Sequence, residues 1–203
     1  MTTIERCEVP PVALVRPKRF GDERGWFSES WREDWGLLEA GSFVQDNHAY
    51  SARRLVVRGL HFQTGPSVQA KLLRVVRGAV LDVAVDIRRG RPTYGRHVAR
   101  ELSAQNGDQL FVPHGFAHGY ATLTDETDVL YKVDATYDPD REGALRWDDP
   151  ALGIAWPTPG EDDGGDGGDG VQLSDKDRVA PLLHELESPF AYDEGAPYNC
   201  RCL

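Results

Sequence analysis

Short runs of alternating apolar and polar positions dominate the chain between residues 43 and 137. They are rich in β-branched and aromatic residues and are separated by turn-forming stretches such as 77–78, 90–92 and 105–108. One strand is predicted to end at 58–63. The others are predicted at 72–76, 79–87, 94–102, 109–112, 120–123 and 128–133. Seven or eight short strands at this spacing favour an all-β, antiparallel sandwich or barrel.

Two short peripheral helices are predicted outside this region. Trp31, Trp35 and Leu38 recur at helical spacing between residues 30 and 40, and Gly41 would end that helix. Ser174 and Asp177 match a capping box, so a second short helix is predicted to begin there.

The length of 203 residues, with 40% hydrophobic content, fits one domain with a sizeable core. We divide the chain into a domain at 1–187 and a C-terminal tail at 188–203. An acidic, glycine-rich insertion at 160–170 is typical of a flexible linker. A calcium loop is the alternative, but the insertion lacks the bidentate glutamate of such loops.

Charge and composition exclude several classes of protein. A net charge of −10 argues against a nucleic-acid partner, which needs a basic face. The sequence has no apolar run of membrane-spanning length and no signal-peptide pattern, so we expect a cytoplasmic protein without membrane association. The odd number of cysteines (Cys7, Cys200 and Cys202) argues against a disulfide framework. The last two could bind metal, but incidental thiols in a tail are the preferred interpretation.

A histidine occupies the apolar face of the strand that ends at 58–63. His61 and Gln63 alternate onto the same side as Leu55 and Val57. Histidine can serve as a neutral base at cellular pH, although a hydrogen-bonded core histidine is the alternative interpretation.

Arg58 has the opposite strand parity to His61, so both can face one pocket only if the chain bulges near Gly59. Glycine suits such a bulge, or a close approach by another group.

A second histidine motif, residues 113–119, resembles the second motif of the cupin jelly roll. A three-ligand metal site could be drawn from His61, His114 and His118. However, Gln63 stands where metal-binding cupins have another histidine, and zinc or iron normally needs further well-placed donors. A site without metal is therefore preferred.

Further polar side chains accompany His61 at one mouth of the predicted barrel. Lys71 lies on the next strand, Tyr131 alternates with core residues, and Gln45 and Asn47 lie upstream. A base, a cation and a phenol suit proton abstraction beside a carbonyl. A well-aimed donor stabilises the enolate by roughly 3–4 kcal/mol, and a phenol across the pocket returns a proton. Alternatively, Tyr131 only fills the core with its hydroxyl bonded.

Eight motifs, in order, resemble the dTDP-4-dehydrorhamnose 3,5-epimerase family. They are residues 20–25, 27–30, 44–48, 58–63, 83–88, 115–119, 130–132 and 173–177. The resemblance implies a cupin-like jelly roll, a homodimer, and no metal or organic cofactor. It also implies epimerisation of dTDP-4-dehydro-6-deoxy-D-glucose at C3 and C5, both beside the C4 ketone, to give dTDP-4-dehydro-L-rhamnose.

The resemblance also implies roles for individual residues. His61 would be the base, Asp177 the carboxylate that orients it, Tyr131 the acid and Lys71 the group that stabilises the enolate. The positions that match substrate contacts are Phe20, Arg24, Glu29, Gln45, Asn47, Arg58, His118, Tyr137, Glu142 and Lys176. Tyr137 would stack on the nucleotide base, and a dimer partner would contribute the segment at 20–29.

Three alternatives stay open at the level of sequence. The nearest is a 3- or 5-monoepimerase of an antibiotic-sugar pathway, because residue identity does not say whether the intermediate flips in the pocket, as a second epimerisation requires. A metal-dependent cupin isomerase or dioxygenase is more remote because of Gln63. A non-catalytic sugar-binding cupin is disfavoured because His61 and Tyr131 are both present. Asp177, which follows the insertion, could also be only a helix-capping residue.

Overall fold

The computed structural model describes residues 1–39, 41–159 and 170–203. Its strands are β1 Thr3–Arg6, β2 Ala13–Arg16, β3 Arg19–Asp22, β4 Gly25–Ser28, β5 Gln45–Ser51, β6 Val57–Gln63, β7 Lys71–Arg77, β8 Ala79–Asp86, β9 Arg88–Arg89, β10 His97–Ser103, β11 Gln109–Val112, β12 Phe116–Thr122, β13 Thr127–Val133, β14 Glu142–Ala144, β15 Phe190–Tyr192 and β16 Cys200–Cys202. The helical segments are α1 Asp175–Arg178 and 3-10 turns at Glu33–Trp35, Gly65–Ser67, Pro139–Arg141 and Pro197–Asn199.

Two antiparallel sheets form the body of the molecule. One has the strand order β1-β2-β11-β7-β13-β5 and the other β10-β8-β12-β6-β14. Their facing sides meet in one cluster of buried side chains, where Leu73 and Val129 of the first sheet join Ala84 and Phe116 of the second. This burial of alternate residues is what the period-two pattern predicts, and the all-β, jelly-roll prediction is confirmed.

The predicted strands agree with the observed ones to different degrees. The prediction at 109–112 coincides with β11, and those at 72–76 and 128–133 lie inside β7 and β13. The prediction at 120–123 found only the end of β12, which begins at Phe116. Residues 116–119 include a glycine and a histidine. They extend the strand because they pair with residues 83–86 of β8.

The helix predicted between residues 30 and 40 is wrong over residues 30–39, and Ala40 lies outside the described residues. Only a 3-10 turn forms at Glu33–Trp35, and Gly36 ends it with φ of 64°. A helix this short does not recover its nucleation cost from local hydrogen bonds. Trp31 and Trp35 pack instead on a second cluster at the outer side of the six-stranded sheet. Tertiary packing therefore explains the aromatic spacing.

The bulge predicted near Gly59 is confirmed. His61 is paired with His118, but Arg58 is paired with Tyr120, so β6 has one more residue than β12 over this interval. Gly59 has φ of 127°, and a Cβ there would lie 2.6 Å from Cα of Gly119. Glycine is thus required both by the backbone conformation and by the close approach of the neighbouring strand.

Residues 188–203 pack against the body of the molecule. Strand β15 pairs in parallel with β9 and antiparallel with β16. Phe190 and Tyr198 are buried, and the buried guanidinium of Arg88 donates to the carbonyl of Tyr198 over 2.8 Å. The domain boundary near residue 188 stays a prediction.

Several other expectations meet limited evidence. The linker and calcium-loop interpretations of the insertion concern residues 160–169, which lie outside the described part of the chain. Cys7, Cys200 and Cys202 are free thiols. In the three described ranges, no helix has the length and apolar character needed to cross a membrane.

Candidate active site

A cavity of about 610 Å³ opens at one end of the sandwich. Such a volume is in the range of small-molecule sites. Its walls come from both sheets and from the segment that contains α1. The predicted site residues among its lining are Gln45, Asn47, Arg58, His61, Lys71, His118, Tyr131, Tyr137, Glu142, Lys176 and Asp177.

Strand parity explains why these polar side chains converge. Lys71 has the parity of Leu73 and Val75, and Tyr131 has that of Val129, all of which face the core. His61 and His118 are directly paired on β6 and β12 of the opposite sheet. The same strands thus bury aliphatic side chains in the middle of the sandwich and present polar ones where the cavity begins.

His61 is paired with a buried carboxylate. Its Nε2 lies 2.6 Å from Oδ1 of Asp177, whose side chain is only 3% exposed. A neutral imidazole that donates from Nε2 keeps its lone pair on Nδ1. The carboxylate therefore selects the tautomer and fixes the ring, and a hydrogen-bond acceptor remains free on the other nitrogen.

Asp177 reaches this position because it belongs to the short helix α1. The side chain of Ser174 accepts a hydrogen bond from the backbone N–H of Asp177, so Ser174 caps the helix predicted to begin there. Burial alone would raise the pKa of Asp177. The hydrogen bond from His61, its charge when the ring is protonated, and hydrogen bonds from Ser174 and the backbone of Gly59 hold that pKa below its ordinary value. The carboxylate stays ionised beside His61.

Lys71 brings a cation into a poorly hydrated position. Loss of hydration lowers the pKa of its ammonium from 10.5 to about 8, although the charges of Asp82 and Glu142 oppose the change. Among the described residues, its amino group makes no hydrogen bond or ion pair. A partly desolvated donor is thus available to an oxygen in the cavity.

Tyr131 comes from the sheet opposite His61. Burial raises the pKa of its phenol, with Arg58 lowering it and Glu142 raising it further. The group is therefore protonated at neutral pH and can donate. Tyr120, a second phenol in the lining, is buried more deeply, and desolvation raises its pKa as well.

One rim of the cavity is a polar network. Lys176 lies 2.7 Å from Glu142, and the hydroxyl of Tyr137 donates to the same carboxylate over 3.4 Å. Gln45 accepts from the backbone N–H of Tyr137 and donates to Asn47 over 2.8 Å. The ring of Tyr137 is half exposed, so one face is free to stack on a planar ligand.

The deep part of the cavity has a second ordered histidine. His118 is buried, and its Nε2 lies 2.8 Å from Oδ1 of Asp82. Arg58 donates to the carbonyl of Tyr50 over 3.1 Å and still lines the cavity, as the bulge at Gly59 permits.

Three predicted site residues lie outside this cavity. Phe20 and Arg24 belong to the hairpin of β3 and β4, and Glu29 follows it. Phe20 is 52% exposed. Arg24 pairs with Asp22 of its own hairpin over 2.6 Å, and Glu29 pairs with Arg32 over 3.4 Å. The single chain does not bring this segment to the cavity.

The histidines of the metal alternative each face a different aspartate. His61 bonds to Asp177, His118 to Asp82, and His114 to Asp134 over 2.8 Å. In the described parts of the chain, no three histidine, cysteine or acidic side chains form a group able to hold a metal ion. The three-histidine set of the disfavoured metal alternative is not assembled among these residues.

Sequence reasoning missed several residues at the cavity. Tyr120 and Gln69 line it. Gln63 also lines it and is buried, but from the sequence this residue was considered only because it stands where metal-binding cupins have a histidine. Asp82 is fully buried behind His118. The sequence does contain a sign of this residue, because Asp82 alternates with core-facing residues in the apolar run from 79 to 87. A buried carboxylate needs a partner, so one could have been sought.

Comparison with known proteins identifies the family. The family model described as dTDP-4-dehydrorhamnose 3,5-epimerase matches residues 6–185. A dTDP-4-dehydrorhamnose 3,5-epimerase from Sinorhizobium fredii is 49% identical over 191 residues, which cover 93% of each chain.

Two solved structures extend the comparison. The Legionella pneumophila dTDP-6-deoxy-D-glucose-3,5-epimerase, in complex with dTDP-4-keto-L-rhamnose, is 40% identical with a TM-score of 0.83 and covers 92% of this chain and 95% of its own. A 3'-monoepimerase from Streptomyces bikiniensis, in complex with dTDP-quinovose, is 33% identical with a TM-score of 0.79 and covers 89% and 88%. This chain belongs to the dTDP-4-dehydrorhamnose 3,5-epimerase family.

Proposed function

We propose that this protein epimerises dTDP-4-dehydro-6-deoxy-D-glucose at C3 and C5 and yields dTDP-4-dehydro-L-rhamnose. The observation that supports this most directly is the placement of the His61–Asp177 pair and the Tyr131 phenol on opposing sheets around one cavity. A base and an acid on opposite walls can remove a proton from one face of a sugar ring and return one to the other. That sequence inverts the carbon.

His61 is the base in this proposal. Its Nδ1 takes the proton from the carbon beside the C4 ketone, and the electrons of the broken C–H bond move onto the C4 oxygen. Asp177 stabilises the imidazolium that forms, as an ionised carboxylate on the other ring nitrogen does in catalytic dyads. Both carbons flank the same ketone, so one arrangement serves C3 and C5 in turn.

Lys71 stabilises the enolate, and Tyr131 completes the inversion. The Lys71 ammonium donates to the developing oxyanion, an effect worth roughly 3–4 kcal/mol for a well-placed donor. The Tyr131 phenol then protonates the carbon from the other face, and the enolate electrons form the new C–H bond. Exchange with solvent returns the proton to the phenolate and removes the one on His61.

The nucleotide part of the substrate occupies the polar rim in this proposal. Tyr137 stacks on the base, while Arg58 and Lys176 supply positive charge for the diphosphate. Gln45, Asn47, His118 and Glu142 complete the hydrogen-bonding groups of the cavity.

We infer that a homodimer completes each site. Phe20, Arg24 and Glu29 match substrate-contacting positions of the family but lie on or next to an exposed hairpin. Trp26 and Phe27 of the hairpin are 61% and 68% exposed. An apolar projection of this kind is typical of an interaction site, and a second copy of the chain fits it best.

Monoepimerisation at C3 or C5 is the second candidate. The similar Streptomyces protein supports this candidate, because it has the same fold and is named a 3'-monoepimerase. The groups for proton removal and return are the same in both reactions. The difference depends on how the intermediate turns in the cavity.

Proton NMR of dTDP-4-dehydro-6-deoxyglucose with the protein in D2O, without added metal, tests the proposal. We expect deuterium at both C3 and C5, with the product trapped as dTDP-rhamnose by a coupled reductase. Exchange and inversion at one carbon would establish the monoepimerase instead. No exchange at either carbon would contradict both.

A further inference from the structure

A third histidine–aspartate pair lies beside the cavity without lining it. Nε2 of His114 is 2.8 Å from Oδ2 of Asp134. His114 follows β11, and Asp134 follows β13. These two strands flank β7, where Lys71 is paired with Val112 on one side and with Val133 on the other. The pair therefore bridges the two strand ends on either side of Lys71.

The same aspartate holds the backbone that leads into Lys71. Its Oδ1 accepts a hydrogen bond from the N–H of Ala70 over 2.7 Å. One residue earlier, the side chain of Gln69 donates to the carbonyl of Ala135 over 2.8 Å. Lys71 is the first residue of β7, and a strand end is where a chain frays most easily. These two hydrogen bonds hold residues 69 and 70, which come directly before the first residue of β7.

The His114–Asp134 pair is largely buried and is packed against an ordered side chain. The side chain of Asp134 is 7% exposed and that of His114 is 21% exposed. The ring of Tyr198 packs edge-on against His114 with 4.7 Å between the centroids. Tyr198 is held in turn by Arg88, which donates to its carbonyl, and by Glu39, which accepts from its N–H over 2.6 Å. The C-terminal segment thus covers the pair.

We propose that Asp134 and His114 are positioning residues for epimerisation. They hold the backbone at 69–71 so that the Lys71 ammonium stays where the enolate oxygen forms. The proposal rests on the proposed function, since it assumes that Lys71 stabilises the enolate. It also gives a role to His114, which from the sequence was considered only as a possible metal ligand.

Three variants separate the contacts. Asp134→Ala removes both the Ala70 and the His114 contact, Asp134→Asn keeps an acceptor for Ala70, and His114→Ala removes only the bridge. We expect kcat to fall about 10-fold in Asp134→Ala and only about 2- to 4-fold in the other two, with KM nearly unchanged. The loss is expected in kcat rather than in KM because the contact between Lys71 and the C4 oxygen is stronger in the transition state than in the bound substrate.

A control pair involves β13, the strand that Asp134 follows. Asp128 of β13 pairs with His48 over 2.7 Å, and neither residue lines the cavity. Asp128→Ala removes a pair of the same chemistry, and we expect kcat to stay at the wild-type value. An equal loss of kcat in this variant would mean that any broken histidine–aspartate pair on or next to β13 has the effect, which would overturn the proposal.

Lysine NMR reads out the position of Lys71 independently of turnover. The chain has four lysines, Lys18, Lys71, Lys132 and Lys176, so 13Cε-labelled lysine gives a simple spectrum in which Lys71→Arg assigns the signal. We expect the Lys71 signal to move in Asp134→Ala and to stay in place in Asp128→Ala.

The two readouts distinguish the possible failures. An unmoved Lys71 signal in all three variants would overturn the positioning role, whatever happens to kcat. A moved signal with unchanged kcat would leave the positioning intact and contradict the proposed role of Lys71 in the reaction. If Asp134→Ala does not fold, Asp134→Asn and His114→Ala still test the His114 bridge: kcat is expected to fall about 2- to 4-fold, and a Lys71 signal unmoved in both would overturn the positioning role.

Discussion

The cavity and the β3–β4 hairpin contain residues that the proposed function assigns to one site, but the two regions differ in how far a single chain orders them. In the cavity, His61, Asp177 and Tyr131 are fixed by strand register and by a helix cap. On the hairpin, Arg24 is 84% exposed and bonds only to its neighbour Asp22 among the described residues. One region is complete within a single chain, and the other projects into solvent.

The two regions differ in what fixes the position and protonation of their side chains. Buried groups in the cavity have shifted pKa values because neighbouring elements exclude water and impose partners. The exposed hairpin has no such enclosure, so its side chains gain a defined position only against a ligand or a second copy. We therefore expect changes in the cavity to alter the chemical step and changes on the hairpin to alter substrate binding.

Loss of the proposed base should have the largest effect. His61→Asn retains an amide that can bond to Asp177 but removes the basic nitrogen. We expect kcat to fall about 10³- to 10⁴-fold, with deuterium exchange lost at both carbons in D2O. His48→Asn, a surface change of the same kind, serves as the control. Exchange at near the wild-type rate in His61→Asn would contradict the assignment of the base.

Removal of the Tyr131 hydroxyl should separate exchange from inversion. In Tyr131→Phe the base can still remove a proton and return deuterium to the same face. We expect inversion to fall about 10²- to 10³-fold while exchange falls much less, as measured by NMR of the recovered substrate. Parallel loss of both would mean that Tyr131 is not the acid on the opposite face.

The hairpin should affect binding, and it should do so in trans. Arg24→Ala removes a charge-assisted contact to the substrate, worth about 1.5–3 kcal/mol, or roughly 10- to 150-fold in kcat/KM. We expect the loss to appear mainly in KM, measured by steady-state kinetics.

Mixing subunits sharpens this test. In an equal mixture of Arg24→Ala and His61→Asn chains, heterodimers would contain one intact cavity served by an intact hairpin. Random exchange should restore about a quarter of the wild-type activity. Activity no greater than the sum of the two separate variants would show that each hairpin serves its own chain or none.

The smallest effect is the pH dependence set by Lys71. Its pKa of about 8 means that the ammonium loses its proton as the pH rises through that value. We therefore expect kcat/KM to fall as the pH rises through about 8. Lys71→Arg keeps its charge over this range and should lack the fall near pH 8. A wild-type profile without a decline there would contradict the role of the ammonium.

The same shift changes stability in the opposite direction. The unfolded chain, with an ordinary lysine pKa, binds more protons than the folded one between about 8 and 10.5. The desolvated Lys71 therefore destabilises the fold below this window, and the penalty is relieved as the pH rises through it. Chemical denaturation at several pH values measures the slope.

The sequence was most informative where local pattern and tertiary environment agree. Strand β11 was predicted at its observed bounds because both faces of residues 109–112 are buried. Gly59 was identified as a bulge from a conflict of parity between Arg58 and His61, and the register confirms it. The helix start at Ser174 is confirmed for the same reason, since an N-cap is a local structure.

Prediction failed where distant contacts decide the outcome. Trp31 and Trp35 have helical spacing but pack on a sheet, and the spacing alone does not reveal that surface. Asp82, Asp134 and Tyr198 had no assigned partner because their contacts, His118, His114 and Arg88, lie between 20 and 110 positions away.

The sequence by itself determined the all-β architecture, the family and the identity of the chemical groups, because periodicity and motif order are local properties of the chain. Only the tertiary structure decided that Asp177 reaches His61 across 116 positions and that Lys71 is desolvated. It also left Arg24 outside the cavity. Distances and dielectric environment depend on which elements pack together, and that is a property of the whole fold.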